Sequence, residues 1–151
     1  MKKLFIALIL FSITYTNVVA QEIEIKDNKV LLDGKEFLKY EKSNIFNHSF
    51  YSLLNDDEIL FFRFDQNETP NYLDDDYFVL NFLTEKIKIE SKNKSKVFAG
   101  LGMNSRKNME KMITWLLSEK VLNPDGTINR QKLEIFHEKY DENITNRTIR
   151  N

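Results

Sequence analysis

No cysteine occurs among the 151 residues. Its absence excludes a disulfide framework, a thiolate nucleophile, a cysteine-ligated zinc or iron–sulfur site and a lipid-modified N-terminal cysteine. Histidine is nearly as scarce: His48 and His137 are the only two, which leaves few candidates for a general base. Only four glycines and two prolines are present, so a collagen-like repeat is ruled out. Gly100-Leu101-Gly102 is too sparse for a phosphate-cradling loop and lacks the following lysine and hydroxyl pair. No internal repeat or low-complexity tract is visible. After the first twenty residues no apolar run approaches the ~18 residues of a membrane-spanning helix. With 42% hydrophobic and 30% charged residues, the chain is too apolar for a disordered tail and too short for several domains, so one folded domain is expected.

The N-terminus has three parts. Met1-Lys2-Lys3 is basic, Leu4 to Ile13 is apolar apart from Ser12, and Thr14 to Ala20 is short and mostly small or polar. That order is the pattern of a secretory signal peptide, residues 1–20, with cleavage after Ala20 set by the small residues Val18 and Ala20. The apolar block spans roughly 15 Å as a helix, about half the hydrocarbon thickness of a bilayer, too little for a permanent anchor. The expected location is therefore exported, periplasmic or extracellular. Without Lys2 and Lys3, 20 of the 22 basic side chains remain against 23 acidic ones, a net charge of −3.

The charge is unevenly placed along the chain. Asn55 to Asp76 carries eight acidic residues against Arg63 alone, and Lys86 to Lys111 carries eight basic residues against Glu90 and Glu110. Within the basic stretch, Lys86, Lys88, Lys92, Lys94 and Lys96 fall on alternate positions, which in an extended chain places them on one face. Such a face either discourages edge-to-edge pairing of strands or contacts a polyanion or an acidic protein. Interleaved aromatics that would stack bases are missing, which argues against nucleic acid as the partner.

From Glu22 to about Ser91 the hydrophobic period is near two, and from Asn104 to Tyr140 it is near 3.6. The expected fold class is α+β: an antiparallel β-meander of about six strands followed by a C-terminal helical hairpin packed on the sheet, filling residues 21–141. Glu22–Lys26 and Lys29–Leu32 flank Asp27-Asn28. Asp33-Gly34 is the strongest hairpin signal, since both central residues of a type I′ turn need positive φ, and it leads into Glu36–Glu41. Further strands are expected at Phe50–Leu54, Ile59–Asp65, Tyr77–Leu83 and Lys86–Ser91, with loops at residues 42–49 and 66–76, the latter marked by Thr69-Pro70. Asn104 or Ser105 is set to cap the first helix, and Thr127 or Asn129 the second. Residues 142–151 are polar apart from Ile144 and Ile149 and are expected to fray.

No motif marks an active site, and no cofactor is implied. His48 stands beside Ser49, but neighbours on a strand point to opposite faces and do not form a nucleophile and base by adjacency. No spacing among the acidic residues singles out a glycosidase pair. Asn123 to Asn129 resembles part of a calcium loop, yet with Gly126 at position 6 the terminal positions fall on Val121 and Lys132, where carboxylates are required. The acidic clusters Asp56-Asp57-Glu58 and Asp74-Asp75-Asp76 offer hard oxygen ligands, although consecutive residues cannot all face one ion. Five Asn-x-Ser/Thr triplets, starting at Asn47, Asn67, Asn93, Asn143 and Asn146, imply glycans only in a eukaryotic host.

The lysine-led signal, together with Trp115-Leu116-Leu117-Ser118-Glu119-Lys120-Val121-Leu122-Asn123-Pro124-Asp125-Gly126-Thr127-Ile128 and Lys132-Leu133-Glu134-Ile135-Phe136, resembles small uncharacterised exported bacterial proteins. That resemblance implies an exported bacterial origin and carries no catalytic residue.

The residues thus favour a non-enzymatic exported protein that binds another macromolecule, acidic or polyanionic if the lysines form the contact. The alternative is a carrier of a small apolar ligand, with Phe62, Phe64, Phe78 and Phe82 lining a cavity between sheet and helices. Export predicts that N-terminal sequencing of the secreted chain starts at Gln21; a chain that still begins at Met1 would contradict cleavage.

Overall fold

The computed structural model describes residues 21–68, 71–100, 102 and 105–148. The signal peptide assigned to residues 1–20, the Thr69-Pro70 marker, the candidate cap Asn104 and the last three residues of the tail lie outside the described residues. Seven strands follow one another: β1 (Ile23–Lys26), β2 (Lys29–Leu32), β3 (Lys35–Lys42), β4 (Asn47–Tyr51), β5 (Glu58–Asp65), β6 (Tyr77–Phe82) and β7 (Ile87–Ser91). They form one antiparallel sheet in sequence order, so the α+β meander expected from the hydrophobic periods is present, with one strand more than the approximate count. Both two-residue hairpin turns use left-handed backbone: φ is 49° and 62° at Asp27 and Asn28, and 51° and 78° at Asp33 and Gly34. These are the residue types that adopt such angles at least cost.

Register puts the apolar residues on one side. Tyr40 pairs with Phe50, Phe50 with Leu60, His48 with Phe62, Phe62 with Leu80, and Leu80 with Ile89, and paired residues share a face. Onto that face pack helix α1 (Arg106–Ser118) and helix α2 (Arg130–Tyr140), through Met109, Met112, Ile113 and Leu116 of α1 and Leu133 and Phe136 of α2. Ser105 caps α1, its hydroxyl accepting from the Lys107 amide at 3.2 Å. Asn129 caps α2 by accepting from the Lys132 amide at 3.1 Å. Between the helices, Gly126 has φ +82°, and a Cβ there would meet the Phe37 carbonyl oxygen at 2.9 Å, so the turn needs glycine for both torsion and space.

Three segments depart from the sequence reading. The strand expected over Phe50–Leu54 ends at Tyr51, where the Ser52 hydroxyl accepts from the Leu54 amide at 3.1 Å and turns the chain. Residues 42–49 were expected to loop throughout, yet β4 starts at Asn47. The Asn44 carboxamide oxygen accepts from the Phe46 and Asn47 amides at 2.8 and 2.9 Å, which tightens the turn and delivers Asn47-His48-Ser49 to pairing with Arg63, Phe62 and Phe61 of β5. Residues 142–148 were expected to fray, yet a third helix, α3 (Ile144–Thr148), is present. Ile144 is buried with Tyr77 and Val79 on the sheet face opposite α1 and α2. The buried Glu90 carboxylate accepts from the Thr145 amide at 2.7 Å and from the Thr145 hydroxyl.

The same segment covers the outer edge of the sheet. The Glu90 amide donates to Asp141 Oδ1 at 2.8 Å, the Lys92 amide to Glu142 Oε1 at 2.8 Å, and the Glu142 amide to the Glu90 carbonyl at 2.7 Å. At the other edge, the Ile25 amide of β1 donates to Glu110 Oε1 of α1 at 2.9 Å in a buried setting. A buried N–H without a partner costs about 1–3 kcal/mol. Glu110→Ala is therefore expected to lower unfolding free energy by about 1–3 kcal/mol in urea titration, whereas Glu110→Gln, which keeps an acceptor oxygen, retains most of that stability.

Candidate functional site

The two histidines occupy different settings. His48 is fully buried on the core face of β4. Its Nδ1 lies 2.8 Å from the Tyr40 hydroxyl, and its Nε2 has no hydrogen-bond partner within reach among the described residues. Burial first, and the Lys42 ammonium second, lower its pKa to about 4, so at neutral pH the ring is uncharged. Burial raises the Tyr40 pKa above its ordinary value, opposed by the Arg106 charge. Ser49 pairs with Phe61 on the other face of the sheet, so the two neighbours diverge as strand geometry requires. The pair is packed within the core, His48 fully buried and Tyr40 5% exposed.

His137 lies on α2 beside a shallow groove against β7, about 320 Å³ in volume, with Glu134, Glu138, Lys86 and Lys88 along its walls. These groups do not converge on one point. Glu134 Oε1 accepts from Arg130 at 2.9 Å, and His137 Nε2 stands 3.6 Å from Asp141 Oδ2, so each is drawn along its own helix. Among the described residues no three His, Asp or Glu side chains are grouped to hold a metal ion. In the Asn123–Asn129 turn, Asp125 Oδ1 accepts from the Thr127 amide at 3.0 Å and its hydroxyl at 2.6 Å, and these bonds lower the carboxyl pKa.

The extended chain on which the lysine alternation was read spans only part of the series. Lys86 sits at φ +57° in the turn before β7, the strand ends at Ser91, and Lys94–Lys96 make a single 3-10 turn, so the alternation of an extended chain is lost. Lys88 pairs with Glu90 at 2.7 Å. Lys94 donates to the Leu73 carbonyl and lies 3.9 Å from Asp76. Lys96 stands 5.9 Å from the ring centres of both Trp115 and Tyr140, and Lys86, Lys88 and Lys92 are exposed. The acidic stretch is divided too, since Asn55 to Asp57 and Gln66 to Asp76 lie at opposite ends of β5. Acidic and basic stretches thus meet within one molecule.

Phe62, Phe64, Phe78 and Phe82 are all buried. Phe62 stacks on Phe78 at 6.2 Å, Phe64 meets Phe98 edge-on at 5.1 Å, and Phe78 meets Trp115 edge-on at 6.3 Å. Rings packed on one another in this way fill the space between sheet and helices. A surface depression of about 660 Å³ lies elsewhere, bordered by Lys29, Lys39, Tyr40, Glu41, Tyr51 and Asp56.

Large apolar side chains stand out instead at the loop end of the sheet that carries the β3–β4 and β5–β6 connections. Ile45 is 48% exposed, Tyr72 58% and Leu73 61%. At the opposite end Leu54 is exposed beside Leu53 in the β4–β5 connection. The Tyr72–Leu73 loop is held at its base. Asn67 Nδ2 donates to Asp75 Oδ2 at 3.1 Å, the Asn67 amide to Asp65 Oδ1 at 2.9 Å, and Tyr77 Oη to Asp65 Oδ2 at 3.2 Å. Lys94 reaches in from the segment after β7 to fix Leu73. Asp76 is buried, and that burial raises its pKa, with Lys94 opposing and Asp75 and Asp65 adding to the rise.

Comparison with protein-family models, curated proteins and solved structures finds no match.

Sequence reasoning passed over Tyr72 and Leu73 because they sit in an acidic loop, where the charge count dominated. The available signal was an aromatic–aliphatic pair inside a polar connection, which no strand or helix buries. His48 carries a separate consequence for stability. Its folded-state pKa lies below the unfolded value of about 6.5, so the unfolded chain binds the extra proton between about pH 6.5 and 4, and stability falls with acid across that window. The expected loss is about 3 kcal/mol. Urea titrations at pH 7 and 4.5 should show a smaller drop in His48→Gln than in the unmodified chain; equal drops would refute this.

Proposed function

We propose that this chain is an exported, non-enzymatic protein that binds a protein partner through the loop end bearing Ile45, Tyr72 and Leu73. The observation that carries the reading is the contrast between filled and exposed aromatics. Phe62, Phe64, Phe78 and Phe82 are buried, while Tyr72 and Leu73 stand 58% and 61% exposed on a braced loop. Interface anchors are typically aromatic or large apolar side chains presented in a fixed geometry, because little ordering entropy remains to be lost on association. Loops on a rigid sheet are also where binding residues concentrate. The basic, apolar and small-residue order of residues 1–20 supports export.

A small-ligand carrier has less support, since none of those four phenylalanines borders the surface depressions described above. A polyanion partner also has less, because the lysines that would meet it are divided between a turn, a strand and a 3-10 turn.

Native mass spectrometry of the protein purified from its own compartment tests the proposal. The expected result is a complex with a second protein, weakened about tenfold or more in Tyr72→Ser/Leu73→Ser, in line with the loss of interface anchors. The same variant should melt within a few degrees of the parent, as both side chains are exposed. A retained small apolar molecule, or a complex indifferent to the double substitution, would overturn it.

A further inference from the structure

We infer that the partner surface docked by the β5–β6 loop is basic: a protein patch whose apolar pocket takes Tyr72 and Leu73 and whose cationic rim meets Glu68 and Asp74. This rests on the binding function proposed above and adds the chemistry of the partner. Glu68 and Asp74 are exposed, one on each limb of the loop, and Asp75 is half-buried beside Asp74. The Asn67–Asp75 hydrogen bond at 3.1 Å ties the two limbs together, so the acidic groups flank the apolar tip instead of trailing from it. Two cations reach this loop: Lys94 is directed inward onto the Leu73 carbonyl and Asp76, and Arg63 pairs with Asp65 at its base at 3.1 Å, which leaves Glu68 and Asp74 as the exposed charges beside Tyr72 and Leu73. Left-handed backbone at Asn67 and Glu68, with φ of 49° and 61°, sets the turn from which Glu68 projects.

An apolar anchor inside a like-charged rim selects partners by sign. A cationic rim gains attraction as it approaches and speeds encounter, whereas anionic lipid, nucleic acid or another acidic polymer is repelled.

The test replaces Tyr72 with the photocrosslinker p-benzoylphenylalanine in the full-length chain, in cells that export it, with a second crosslinking position at the exposed Lys132 of α2 as comparison. The expected outcome is a protein adduct at position 72 whose captured peptide lies on a net-basic surface. Its yield should fall about tenfold in Glu68→Lys/Asp74→Lys and fall with rising salt, as for rim charges that steer association. Circular dichroism melting of the charge-reversed chain verifies that it folds. An adduct at position 72 that is unaffected or strengthened by charge reversal overturns the inference, as does one formed with lipid or with a second copy of this chain. Adducts at position 132 but not at 72 overturn both this inference and the placing of the contact at the loop end, whereas an adduct at 72 indifferent to charge reversal overturns the inference alone. Adducts at neither position, with no complex in native mass spectrometry, remove the binding function itself.

Discussion

A seven-stranded antiparallel sheet has two edges, and every second residue along each edge turns an N–H away from its neighbouring strand. In this protein the edges are met by carboxylates from the helical half of the chain. Glu110 takes the Ile25 amide on β1, while Asp141 takes the Glu90 amide on β7 and Glu142 the Lys92 amide just past its end. At these three amides the strand half supplies the donor and the helical half the acceptor, while Glu142 and Thr145 return hydrogen bonds to Glu90. This pairing also fixes where the helices lie. α1 is held against β1 and α2 against β7, while the segment after α2 passes to the far face of the sheet, where Ile144 joins Tyr77 and Val79.

Glu90 concentrates several of these links. Its carboxylate accepts from Lys88, from the Thr145 amide and from the Thr145 hydroxyl, and its backbone N–H and carbonyl bond Asp141 and Glu142. Burial pushes its pKa up, yet the bonds from Lys88 and Thr145 outweigh burial and hold it below the ordinary carboxylate value. A buried glutamate remains ionised here because every approach to it is a donor.

Much of the fold was legible in the amino-acid order because local chemistry and global pattern agree. Strict alternation in Glu22–Lys26, the Asp33-Gly34 turn and the i, i+3, i+4 spacing of Met109, Met112 and Ile113 each name one structure and receive it. Where the reading failed, the deciding interaction was distant or cooperative. Asn47-His48-Ser49 has little strand propensity and is drawn into the sheet by pairing with Arg63, Phe62 and Phe61. Ile144 lacks enough apolar neighbours to specify a helix, but the buried Glu90, more than fifty residues earlier in sequence, provides the acceptor. The lysine series looked like one face because alternation was extended past Ser91, where the chain leaves the sheet. The loop carrying Tyr72 was hidden for a further reason: exposure is a property of the finished surface, and composition alone does not report it.

The position of the edge acceptors late in the chain has a bearing on biogenesis. A polypeptide threaded outward from its N-terminus presents all seven strands before Glu110, Asp141 and Glu142 have emerged, and for that interval both margins of the sheet are open to pairing with other chains. Meander order makes each strand adjacent to the one just delivered, which favours early local assembly. The two segments that close those margins, α1 and the residues directly after α2, both follow the strands in the chain.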